Sequence, residues 1–254
     1  MADAPTVAER LAKLFPNGRG LFLAYDQGFE HGPDDFSGAN ADPAFIMQLA
    51  DSGHFNGVIC HRGIAEEYAP ERTVPLILKL NGKTSLPEGD PVSKAVATVA
   101  DAVELGADAV GYTVYVGSTH EAEMLTEFGR ILDEAHAAGL PVFGWMYPRG
   151  ESVPDPHDPK AIAYAARVGL ELGADVLKLY YPGSEDGVAE LVKLAGRSKV
   201  VIAGGTKADP AEFAAQIKAV LAAGAAGLAV GRNVWQADDP EAVAKQLREA
   251  VDAA

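Results

Sequence analysis

The chain has 254 residues, of which 48% are hydrophobic and 22% charged, enough apolar material for one barrel-sized domain or two smaller ones. Its 36 acids against 21 bases give a net charge of −15, which disfavours nucleic acid and anionic membranes as partners, so any anionic ligand needs a local basic site. No basic start precedes an apolar core, no apolar run approaches ~20 residues, and Cys60 alone leaves no internal disulfide, so the expectation is a cytoplasmic protein.

Residues 5–15 read as a helix. The first strand-like run, LFLAYD (21–26), ends on Asp26, with His31 close behind. GVIC (57–60) follows, then PLILKL (75–80), which carries Lys79 and leads to Asn81 and Lys83. The helix-like segment PVSKAVATVADAVELGA (91–107) precedes AVGYTVY (109–115), and EAEMLTEFGRILDEAHAAGL precedes PVFGWMY (141–147), which holds Trp145 and Tyr147 and is followed by Arg149. PKAIAYAARVGLELGA leads to DVLKLYY (175–181), with Lys178 at its centre. VVIAGG (200–205) runs into Thr206 and Lys207, and PAEFAAQIKAVLAAGA leads to the last run, GLAVGR (227–232).

Asp42-Pro43, Asp90-Pro91, Asp158-Pro159 and Asp209-Pro210 each place a capping acid before a proline at a helix start, and Gly106, Gly173 and Gly224 mark helix ends. Eight strand-plus-helix units predict an α/β protein, a single-domain (β/α)8 TIM barrel over residues 1–254, with the N-terminal helix closing its bottom. An open doubly wound sheet would more often carry G-x-G-x-x-G after its first strand, and LFLAYDQGFEHG lacks it.

In such a barrel the strand ends converge on one mouth. Gly204, Gly205 and Gly231 would expose backbone N–H groups there, and Arg232 would add a fork of donors, a combination suited to phosphate; their plainer role is tight turning. Lys178 admits two readings. It is either a desolvated amine, further depressed by Lys207 and Arg232 and free to attack a carbonyl, or a lysine that reaches the rim or pairs with Asp26. Lys79 has the same apolar surroundings, and spacing does not choose between them. Tyr147 closes the strand before that of Lys178 and could exchange protons with a bound substrate, or be only a rim residue; Trp145, two residues earlier, faces the same way and could wall the pocket. Asp26 could orient Lys178, hold substrate hydroxyls, or cap a turn. The six histidines and Cys60 show no metal-ligand spacing, so no metal and no cofactor are expected, and neither G-x-S-x-G nor a P-loop is present.

LFLAYDQGFEHGP, LKLNGKT, GADAVGYTVYVGS, GWMYPRG, DVLKLYY, VIAGGTK and GLAVGRNVWQ resemble, in order and spacing, the archaeal-type class I fructose-bisphosphate aldolases over about residues 20–236. The resemblance implies a metal-free barrel that reversibly cleaves fructose 1,6-bisphosphate to dihydroxyacetone phosphate and glyceraldehyde 3-phosphate in glycolysis or gluconeogenesis, and a homo-oligomer. It implies Lys178 rather than Lys79 as the Schiff-base residue, Tyr147 as the proton-transferring group with Trp145 beside it, Asp26 as the first-strand acid, and Gly204, Gly205, Gly231 and Arg232 as the phosphate site. Arg149 and His31 are candidates for a second phosphate. Related Schiff-base barrels catalyse a transaldolase-type synthesis or a thiolase-like step, and a non-catalytic sugar-phosphate-binding barrel is the alternative outside enzymology.

Overall fold

Eight parallel strands close into a barrel in sequence order: β1 (Gly20–Ala24), β2 (Gly57–His61), β3 (Leu76–Lys79), β4 (Ala109–Val116), β5 (Val142–Pro148), β6 (Val176–Leu179), β7 (Lys199–Ala203) and β8 (Gly227–Val230), with β1 paired to both β2 and β8. The computed structural model describes residues 4–205 and 210–254. The expected (β/α)8 architecture is present. Strand runs are buried along their length rather than alternating because one face meets the barrel interior and the other the surrounding helices.

Two apolar cores follow from that double burial. Phe22, Ile59, Ile77, Phe143, Val176 and Val201 fill the interior, and Leu14 and Phe15 from the end of the N-terminal helix, α1 (Val7–Leu14), join them as the plug expected at the bottom. The larger core lies between strands and helices, where, for example, Tyr112 meets Phe128 edge to face with ring centroids 5.9 Å apart.

The helix punctuation is mostly as read. The Asp42 and Asp158 carboxylates accept from Ala44 N and Ala161 N at helix starts, and Gly173 ends its helix at a φ of 94°, with Gly106 and Gly224 also at positive φ. Asp209 lies outside the described residues. Asp239 before Pro240 is a further cap of the same kind. Asp90-Pro91 is not a helix start, and the segment 91–107 is helical only over Val99–Glu104, capped by Thr98. Before it, Lys94–Ala95 pairs antiparallel with Asn81–Gly82, and the Asp90 carboxylate accepts from Thr119 N and Glu151 N at 2.6 Å each, tying three loops of the mouth together. Long-range backbone partners, Val96 N and Ala97 N to Leu80 O, outweigh the local helical preference. Among the described residues, no helix is long and apolar enough to cross a membrane.

Candidate active site

A cavity of about 590 Å³ opens at the carboxyl ends of the strands, and all ten residues singled out from the sequence for this site line it: Asp26, His31, Trp145, Tyr147, Arg149, Lys178, Gly204, Gly205, Gly231 and Arg232. Strand register explains the convergence. Thr113, Trp145 and Lys178 are successive partners across β4, β5 and β6, so their side chains share one level of the interior. The indole fits because residue 111 is glycine: a Cβ there would lie 2.2 Å from the Trp145 ring.

At that level the two lysines differ in how they are held. The Lys79 ammonium donates to Asn81 O at 2.7 Å and Asn81 Oδ1 at 2.9 Å, and Asn81 is itself fixed through Ser93 O, Thr113 O and Thr113 N. Lys178 makes no hydrogen bond to any described residue. Its Nζ lies 4.0 Å from Asp26 Oδ1 and 4.8 Å from the centre of the Trp145 ring. Burial lowers the Lys178 pKa, with Asp26 pulling the other way; burial, again opposed by Asp26, brings Lys79 down to about 8. The expected influence of Lys207 falls outside the described residues, and Arg232 is engaged elsewhere, so the lowering rests on desolvation. Asp26 is also buried, which favours its neutral form, but the charges of Lys178 and Lys79 hold its carboxyl below the usual range and keep it ionised.

His61, the partner of Lys79 across β2 and β3, adjoins this cluster, its Nε2 3.2 Å from Asp26 O and its ring stacked on Phe29. A carbonyl only accepts, so Nε2 carries the proton. Burial, helped by the Lys79 charge, lowers the His61 pKa to about 4. The folded state therefore refuses a proton that the unfolded chain takes up near pH 6.5, and stability should fall as pH drops from 6.5 to 4, by roughly 3 kcal/mol from this residue. Urea titrations of wild type and His61→Gln across that range check it; the variant should show the flatter pH dependence, and parallel curves would refute the assignment.

One level further out, Tyr115 pairs with Tyr147 in the register, and Tyr180 stacks on Tyr147 with ring centroids 4.2 Å apart and planes 3° from parallel. The Arg149 guanidinium lies 5.6 to 5.8 Å from the centres of all three rings. Glu30 fixes it: its Oε1 accepts from Arg149 Nη1 at 2.6 Å and Tyr115 OH at 3.4 Å, and lies 3.6 Å from Lys83 Nζ. Burial, reinforced by Tyr180 and Asp26, pushes the Tyr147 phenol well above its ordinary pKa despite Arg149, so it is protonated at neutral pH.

The opposite side of the mouth carries the glycine loops. Gly204 N donates to Ala229 O, and Asn233 Nδ2 donates to Gly204 O at 2.7 Å, linking the loop after β7 to the loop after β8. A Cβ at Gly231 would lie 2.5 Å from Gln27 Nε2 and 2.9 Å from Ala24 O, so glycine lets this loop pass against β1. Arg232 Nη1 and His31 Nδ1 both approach Asp35 Oδ2, at 3.5 and 3.0 Å. His31 thus shares the Asp35 carboxylate with Arg232, whereas Arg149 is held by the neighbouring Glu30.

The sequence reading did not single out Glu30, His61, Tyr115 or Tyr180 for the site. Tyr180 had a usable signal, since it follows Lys178 by two residues on a strand-like run and so faces the same way. Glu30 had none, because its partners are 53 or more residues away.

Comparison with known proteins bears on this site. The family described as DeoC/LacD family aldolase matches residues 21–237. The class 1 fructose-bisphosphate aldolase of Thermoproteus tenax is 48% identical over 249 residues, covering 96% of this chain and 94% of that one. A solved structure of the Schiff-base-forming fructose-1,6-bisphosphate aldolase with reaction intermediates superposes with a TM-score of 0.93 at 46% identity, over 97% of this chain and all of that one. A second, archaeal structure with the catalytic lysine covalently bound to the carbinolamine intermediate gives the same TM-score and identity, over 97% of this chain and 99% of that one.

Proposed function

This chain belongs to the DeoC/LacD family of aldolases, and from that membership we propose that it is a class I fructose-bisphosphate aldolase, a lyase whose Schiff base forms on Lys178. The observation that carries the choice of residue is the contrast between its two buried lysines: burial depresses the pKa of both, but Lys79 donates two hydrogen bonds to Asn81, whereas Lys178 makes none to any described residue.

The Lys178 amine attacks the C2 carbonyl of fructose 1,6-bisphosphate, and loss of water leaves a protonated imine. Asp26, kept ionised by its cationic neighbours, accepts the C4 hydroxyl proton. The C3–C4 bond then breaks, its electron pair moves into the imine to give an enamine, and glyceraldehyde 3-phosphate departs. Tyr147, kept protonated by burial, returns a proton to C3. Water hydrolyses the imine to release dihydroxyacetone phosphate, and the proton on Asp26 restores the phenol. No step requires a metal or a redox cofactor.

Incubation with dihydroxyacetone phosphate and borohydride, followed by intact mass and peptide mapping, tests the assignment. A reduced adduct on the Lys178 peptide is expected; ligand binding with no adduct would instead favour a non-catalytic sugar-phosphate barrel. For the phosphate, Gly204, Gly205, Gly231 and Arg232 form the first site and Arg149 with Lys83 the second. Arg232→Gln removes a charge-assisted hydrogen bond present in both ground and transition states, so KM for fructose 1,6-bisphosphate should rise roughly 10- to 100-fold with kcat little changed. Steady-state kinetics checks this, and an unchanged KM would move the phosphate elsewhere. The reading extends to a cytoplasmic homo-oligomer serving glycolysis or gluconeogenesis, its assembly testable by analytical ultracentrifugation.

A further inference from the structure

We propose that Tyr180 is a positioning residue for the reaction, its ring holding the phenol of Tyr147 in place by face-to-face stacking. The inference rests on the reading of Tyr147 as the group that returns a proton to the enamine.

The register makes the contact. Trp145 is the partner of Lys178 across β5 and β6, so two residues further along the same faces bring Tyr147 beside Tyr180. The result is two levels of side chain, with the Lys178 amine 4.8 Å from the Trp145 ring below and the two phenol rings 4.2 Å apart above. The Tyr147 hydroxyl makes no hydrogen bond to any described residue, so the orientation of its ring is set by the groups packed around it, chiefly Tyr180 with the Arg149 guanidinium 5.8 Å away. Among the described residues the buried Tyr180 hydroxyl has no aligned hydrogen-bond partner, although the Arg149 charge acts on it, and it is the ring that meets Tyr147. Tyr180 is in turn braced by the ring of His157, 5.0 Å away and tilted 41°, and by Arg149 at 5.6 Å.

A group that must deliver a proton to one carbon is sensitive to its placement, and displacements near 1 Å can cost about 10²-fold in rate. Lys178 shares no hydrogen bond or ion pair with Tyr180, its neighbours being Asp26 and the Trp145 ring, so imine formation should not feel the change. Three variants separate the possibilities: Tyr180→Leu, which removes the ring; Tyr180→Phe, which keeps it; and Tyr147→Phe. Each is assayed for cleavage of fructose 1,6-bisphosphate, for exchange of the C3 proton of dihydroxyacetone phosphate, and for borohydride-trapped imine. Tyr180→Leu is expected to lower kcat and C3 exchange roughly 10- to 100-fold while imine trapping stays near the wild-type rate, and Tyr180→Phe to retain all three.

Wild-type cleavage and exchange by Tyr180→Leu, alongside a Tyr147→Phe variant that has lost both, would overturn the positioning role alone. Normal exchange by Tyr147→Phe would instead overturn the reading of Tyr147 on which it rests. Equal losses in Tyr180→Phe and Tyr180→Leu would assign the effect to the hydroxyl and refute the stack, and loss of imine trapping in Tyr180→Leu would mark general disruption and refute it too. Should Tyr180→Leu fold poorly, Tyr180→Met makes the same comparison.

Discussion

Lys178→Ala should abolish cleavage of fructose 1,6-bisphosphate and eliminate the borohydride-trapped adduct, lowering kcat by roughly 10⁴-fold or more, the scale on which removal of a covalent nucleophile acts. The size of the effect follows from what the amine does. Without the imine the electron pair of the breaking C3–C4 bond has no sink, and no described neighbour can replace it: Lys79 gives its protons to Asn81 O and Oδ1 and is held on β3. Lys178→Arg should be equally inactive, because a guanidinium stays protonated. A pH profile adds a second check. Burial depresses the Lys178 pKa, so the rate of imine formation should rise with pH through that lowered value and level off once the amine is neutral. Retained turnover and adduct in a clean Lys178→Ala preparation would eliminate the assignment, and mapping of the adduct to Lys79 would transfer it.

The second large effect is expected from Tyr147→Phe. Loss of a positioned proton donor costs about 10²- to 10⁴-fold, and the loss should appear in kcat for cleavage and in C3 proton exchange. Imine formation should survive, since Lys178 and Asp26 remain. The ring is kept, so the stack with Tyr180 is kept as well, and the variant isolates the hydroxyl. The raised pKa has a sign that can be checked. Burial holds the proton on the phenol, so this group should produce no decline in proton donation through the neutral range, and a fall in exchange rate near neutrality would implicate another acid. Cleavage by Tyr147→Phe at the wild-type rate would remove Tyr147 from the chemistry.

Much of this was written locally. Unbroken runs of Val, Ile and Leu bounded by glycine and Asp-Pro signals are local consequences of strands buried on both faces and helices capped at one end, and they were sufficient to give eight β/α units. The error at Asp90-Pro91 shows the limit of that logic. The dipeptide is a good helix start, but its carboxylate is taken by Thr119 N and Glu151 N from two other loops, and the residues after it are drawn into a hairpin with Asn81–Gly82.

The sequence by itself determined the barrel, the mouth at its strand ends and the residue types gathered there, because period and punctuation act over a few residues. Only the tertiary structure decided what each of those residues is free to do. Lys79 and Lys178 have equivalent apolar surroundings in the chain, yet Asn81, two residues on, accepts two hydrogen bonds from one amine, while the other makes none to any described residue and has only Asp26 at 4.0 Å as its charged neighbour. Glu30 meets Arg149 across 119 residues, and Tyr147 meets Tyr180 because β5 and β6 pair at Trp145 and Lys178. Such contacts are fixed by strand register and barrel closure, which depend on how all eight strands pack and so are not encoded in any one stretch of the chain.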